Sequence, residues 1–120
     1  MPLTAGDLPP VLDVEEKGDL SDDALSDSVL AWLRYMEGIY KTRPILYTYA
    51  KFRTQYLRSK AFDAYPYWIA HYYVDSLTYQ GAWKFWQHTD RGRLPGIRGD
   101  VDLNCYNGSM YDLRRLLIAE

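Results

Sequence analysis

Short runs with the two-residue period of a strand alternate along this chain with segments of helical period, and that alternation most narrows the choice of fold. Residues 10–15 ("PVLDVE") read as a strand. Residues 21–40 read as a helix. Ser21 can cap it, Asp22 and Asp23 suit its positive end, and Leu25, Val29, Trp32, Met36 and Tyr40 recur at helical spacing. Gly38 and then Pro44 mark its expected end. "PILYTY" (44–49) reads as a strand and "AKFRTQYLRSK" (50–60) as a short helix. "YWIAHYY" (67–73) and "KFWQHT" (84–89) read as strands separated by a loop around Gly81. A glycine-rich loop leads into a short strand near Val101–Asn104. Residues 109–120 close as a helix, with Ser109 and Asp112 spaced as a capping box. This order suggests βα units on a largely parallel sheet. A complete βα barrel takes about 250 residues, so 120 residues supply roughly half of one.

Neither repeats nor linkers divide the chain, which is expected to form one domain over residues 1–120. A net charge of -2, from 14 basic and 16 acidic residues, gives no basic footprint for nucleic acid. No apolar run approaches the roughly 18 residues that span a membrane. The stretch "MPLTAGDLPP" has neither the basic nor the apolar region of a signal peptide. One cysteine, Cys105, rules out an internal disulfide. Aromatic residues reach 16%, and nine of them fall between Tyr65 and Trp86. They suit either a tyrosine-rich core or a platform for sugar rings, since Tyr and Trp combine flat apolar faces with a polar handle.

The strand at 10–15 carries two acids. Side chains alternate along a strand, so Val11, Asp13 and Glu15 share one face and Leu12 and Val14 the other. The acids stand at the C-terminal end, where parallel α/β sheets place their chemistry. Two residues along a strand is about 6.5 Å between Cα atoms. Neighbouring carboxylates repel when both are ionised, which favours one proton donor and one anion, the pairing used in glycoside hydrolysis. Surface acids facing a Lys or Arg are the plainer alternative. A metal site is disfavoured, because His71 and His88 lie on different expected strands without ligand spacing. A second acid-bearing strand end is "RGDVDLN", where Asp102 and Asn104 share a face.

Four segments, "LPPVLDVE", "PILYTY", "YPYWIAHY" and "WKFWQHTDRGRLPGIRGDVDLNCYNG", stand in an order that resembles the family 25 glycoside hydrolases, the Chalaropsis-type lysozymes. "WIAHY" followed by "FWQHT" and "GIRGDVDLN" carries most of the specificity. The resemblance implies a TIM-like (β/α)5β3 barrel, here partial and entered at its fourth strand. It implies hydrolysis of the β-1,4 bond between N-acetylmuramic acid and N-acetylglucosamine in peptidoglycan. By the same resemblance Glu15 is the general acid, Asp13 its electrostatic partner and Asp102 a further acid. Tyr47, Trp68, Tyr72 and Gln87 line the sugar groove. No cofactor and no metal is implied, and the family acts outside the cell or at its envelope.

The family's opening strands, with one acid of the site, have no counterpart in these residues. Two readings follow: a muramidase, or a non-catalytic remnant that binds wall glycan or only self-assembles. A barrel entered at its fourth strand would expose a strand edge, so a homodimer through that edge is expected, with neither nucleic acid nor membrane as partner.

Overall fold

The computed structural model describes residues 2–72 and 82–119. Tyr73 and the expected loop around Gly81 lie outside the described residues. Strands β1 (Val11–Asp13), β2 (Ile45–Tyr49), β3 (Tyr67–Ala70), β4 (Phe85–Gly92) and β5 (Val101–Tyr106) form one sheet in that order. Pairing is parallel from β1 to β4, and β5 returns antiparallel to β4. Helices α1 (Asp22–Tyr40) and α2 (Ala50–Tyr56) and a 3-10 turn (Lys60–Ala64) fill the connections, and α3 (Met110–Leu116) follows β5. The fold is thus a mixed α/β architecture around a five-stranded sheet.

Helix α1 starts where its cap allows. Ser21 accepts the Ala24 N–H at 3.1 Å, and two aspartates occupy the first turn. The helix runs to Tyr40 and stops at Lys41, which adopts a left-handed φ of 55° and donates its N–H to the Glu37 carbonyl. Leu25, Val29 and Leu33 point inward, and Leu33 is fully buried. They meet Leu46, Tyr67 and Ile69 from one face of the sheet, with Phe52, Leu57 and Phe62 from the shorter helical pieces. At α3 the capping box forms, with Ser109 and Asp112 each accepting the other's backbone N–H.

Strand lengths differ from the pattern-based expectation. β3 ends at Ala70; just past it the His71 N–H still donates to the Gln87 carbonyl at 3.1 Å, while the His71 carbonyl accepts the Trp86 indole N–H. β4 extends to Gly92 and carries two irregularities against β5, between Gln87 and Thr89 and between Thr89 and Gly92. Each puts one more residue on β4 than on β5, which bends the strand and adds twist. Gly92 is buried here, and a Cβ built on it would stand 2.6 Å from the Leu103 side chain. β1 is the edge strand, three residues long, with Val11 exposed and its outer side unpaired among the described residues. No helix among them is long and apolar enough to cross a membrane.

Candidate active site

The helices cover one face of the sheet, and the other face carries the predicted site. In register across the five strands run Asp13, Tyr47, Trp68, Phe85 and Tyr106. Their rings touch in sequence. Tyr47 meets Trp68 edge-on with centroids 5.9 Å apart, Trp68 lies 5.0 Å from Phe85, and Phe85 lies 5.1 Å from Tyr106. The row is a half-buried aromatic strip with a carboxylate at one end.

Two residues further toward the C-terminal ends lies a second row. Tyr49 pairs with Ala70, Ala70 with Gln87, and Gln87 with Asn104. Glu15 follows on from β1 to this level, because the chain beyond Asp13 stays pinned to β2. Val14 donates its N–H to the Tyr47 carbonyl at 2.9 Å, and its carbonyl accepts the fully buried Thr48 hydroxyl at 2.6 Å. The residue between the two acids is therefore held on both its backbone groups, and Val14 itself is buried.

The polar groups of the two rows form one network. Tyr47 and Tyr72 both donate their phenols to Oε1 of Gln87, the latter at 3.0 Å. Gln87 is buried, so these bonds offset the cost of placing its amide there. The Trp68 indole donates to Oδ1 of Asn104 at 2.8 Å. Tyr49 stands edge-on to Tyr72 with centroids 5.9 Å apart.

All three phenols are held above their ordinary pKa. For Tyr47 burial is the leading cause, a hydrogen bond from Tyr72 opposes it, and the charges of Glu15 and Asp13 add to the rise. For Tyr49 burial leads, then its interaction with Tyr72, then the Glu15 carboxylate. For Tyr72 burial leads, then the bond to Tyr47, with Asp102 adding to the rise. Each of the three acids thus lies within electrostatic reach of the tyrosine cluster, Asp13 and Glu15 from β1 and Asp102 from β5.

The structure brings the expected residues Asp13, Glu15, Tyr47, Trp68, Tyr72, Gln87 and Asp102 to one face. It sets Gln87 lower than expected, buried beneath the phenols instead of on the groove surface. Asn104 shares this face with Asp102 as expected, and Tyr49 belongs to it too but is not among the residues singled out from sequence. Tyr49 lies two residues from Tyr47 in "LYTY", so strand alternation alone could have found it. Among the described residues no group of three His, Cys, Asp or Glu is placed to hold a metal.

Known proteins share this arrangement of strands. The solved bacterial lysozyme of Streptomyces coelicolor superposes with a TM-score of 0.78 at 29% identity, over 92% of this chain and 56% of that one. The protein YegX of Escherichia coli K12 is 46% identical over 113 residues, which are 93% of this chain and 41% of YegX. Lysozyme M1 of Streptomyces globisporus is 33% identical over 114 residues, covering 85% of this chain and 38% of that protein. The chain thus spans about two-fifths of the curated relatives it matches. The sequence model of the glycosyl hydrolases family 25 matches residues 1–97, a stretch that includes both β1 acids and the aromatic strip as far as Phe85. With most of its length matched to that model, the chain belongs to glycosyl hydrolase family 25.

Proposed function

We propose that this face is part of a muramidase active site, and that the protein hydrolyses the β-1,4 bond between N-acetylmuramic acid and N-acetylglucosamine in peptidoglycan. The carrying observation is the register row in which the Asp13 carboxylate stands at the end of an aromatic strip, with Glu15 one level above it. On this reading the described sheet is the later part of a (β/α)5β3 barrel, and its ring-bearing face is the barrel's inside. Sugar rings lie along Tyr47 and Trp68. Glu15 protonates the glycosidic oxygen as the bond breaks, and Asp13 offsets the positive charge that develops at the sugar. Asp102 approaches from the far side of the groove, and the phenols of Tyr47 and Tyr72, fixed on Gln87, shape its floor. Held above their usual pKa, those phenols stay neutral donors. The protein then works at the cell wall.

The test is release of soluble fragments from purified peptidoglycan by this chain, by a longer form that carries the upstream family strands, and by Glu15→Gln in the active form. Activity that survives Glu15→Gln at near-parent level would overturn the assignment.

One observation favours a second reading. β1 is an edge strand with its outer side unpaired among the described residues, and both of its acids are exposed. On that reading these residues bind wall glycan without cutting it, or pair edge to edge as a dimer. Glycan retention without fragment release, together with light scattering at twice the 14.1 kDa chain mass, would favour this reading over the first.

A further inference from the structure

A pocket of about 500 Å³ lies at the other end of the sheet from the acids. It is walled by the residues that lead into β2, β3 and β4 and by the end of α3. Those three strands are parallel, so their approaches gather at one end while Asp13 and Glu15 stand at the opposite end. Four cations line the pocket: Lys41, Arg43, Lys84 and Arg115. Among the described residues the acid in its wall is Asp63, and that carboxylate is already bound by Arg53 at 3.2 Å.

The neighbouring acids are similarly engaged. Glu37 lies 3.8 Å from Arg43 and accepts the Tyr65 phenol at 2.9 Å. Asp112 is taken up by the α3 capping box, and its pKa is lowered first by Ser109, with smaller contributions from Lys84 and Arg115. Among the described residues Lys41, Lys84 and Arg115 form no ion pair with a carboxylate. Gathered like charges attract an anion, and the Arg115 guanidinium fork, outside any ion pair with a carboxylate, suits phosphate oxygens. Trp83 adds a flat apolar wall beside Lys84. The volume falls within the range of about 300–1,000 Å³ typical of small-molecule sites.

We propose that this pocket binds a phosphorylated sugar, with its phosphate held by Lys84 and Arg115 and its ring against Trp83. The site is separate from the acid-bearing face, and the inference stands whether or not that face hydrolyses glycan. The phosphorylated sugar can be a free small molecule or one repeat of a phosphodiester polymer.

Calorimetric titration with glucose 6-phosphate, glucose and poly(N-acetylglucosamine 1-phosphate), a phosphodiester polymer of ring sugars, tests it. Glucose 6-phosphate should bind and glucose should not. The Lys84→Gln, Arg115→Gln double variant should weaken binding about tenfold or more, as expected for losing two charge-assisted bonds, with an unchanged melt. On the parent protein, raising salt should weaken binding progressively, which reads the same charges without any substitution. Tighter binding of the polymer per phosphate identifies a polymer repeat as the source, and equal binding identifies the free sugar phosphate. Glucose binding as tight as glucose 6-phosphate, insensitivity to salt, full affinity in a folded double variant, or no binding of either phosphate ligand would overturn the proposal.

Discussion

The indole Nε1 of Trp68 donates to Oδ1 of Asn104 at 2.8 Å, and the bond reaches over β4 to join β3 to β5. Trp68 already leans on the Phe85 ring of the strand between. The second constraint fixes the plane of its ring, the plane that a sugar would meet under the proposed function.

Asn104→Ala should therefore act on binding more than on folding. The bond is exposed, so its loss costs the fold about 0.5–1.5 kcal/mol at most. Affinity for a chito-oligosaccharide, followed by tryptophan fluorescence, should fall several-fold as Trp68 gains freedom. Unchanged affinity would remove Trp68 from the groove.

Glu15→Gln should abolish most wall hydrolysis in an active form, by about 10²–10⁴-fold, the usual contribution of a general acid. Glu15 is exposed, so the melt should stay within about 0.5 kcal/mol of the parent. Asp13→Asn should lose most activity as well, again with the fold intact. Fragment release from purified peptidoglycan and thermal denaturation read the two effects separately.

Thr48→Val tests how the acids are held. The substitution keeps the shape but removes the hydroxyl that the Val14 carbonyl accepts in a fully buried position. The unpaired carbonyl should destabilise the fold by about 1–3 kcal/mol. Because Val14 separates Asp13 from Glu15, hydrolysis should fall beyond what the folded fraction explains. Denaturant titration and activity per folded molecule check this.

Alkaline titration should reveal the phenol cluster. Tyr47, Tyr49 and Tyr72 have folded-state pKa values raised above the ordinary value, near 10. Below about pH 10 their stabilising contribution is fully present. Above it the unfolded chain releases its protons first, so stability falls as pH rises toward the folded values. Tyrosinate absorbance of the folded protein should lag that of the denatured chain, and Tyr49→Phe should shrink the lag. Coincident titration curves would contradict the cluster.

Leu33→Ala probes the covered face. Leu33 is fully buried between α1 and the sheet, and its truncation should cost about 2–5 kcal/mol. Loss of the cooperative melt at a lower denaturant midpoint is the expected result.

The alternation of strand and helix is legible in sequence because each element states its own period. Leu25 and Val29 repeat at helical spacing, and Asp13 and Glu15 repeat at strand spacing. The face shared by Tyr47, Trp68 and the β1 acids follows from parallel pairing of strands with simple alternation. What sequence does not carry is contact between distant segments. Asn104 looks like an ordinary strand-end polar residue until β5 is known to fold back beside β4. The end of α1 at Tyr40 is legible from Gly38 and Pro44, but the left-handed turn at Lys41 that closes it is not. Gln87 reads as a groove residue, but two phenols cover it.

The two irregularities in β4 frame a position where size is the whole constraint. Gly92 pairs with Val101, next to Asp102, and the Leu103 side chain fills the space that any larger residue would need. The Asp102 end of β5 is thus registered by a missing methyl group. At position 92 the smallest enlargement would press on the Leu103 side chain and stand 3.0 Å from the Val101 carbonyl, so a change there would be felt on both sides of Asp102.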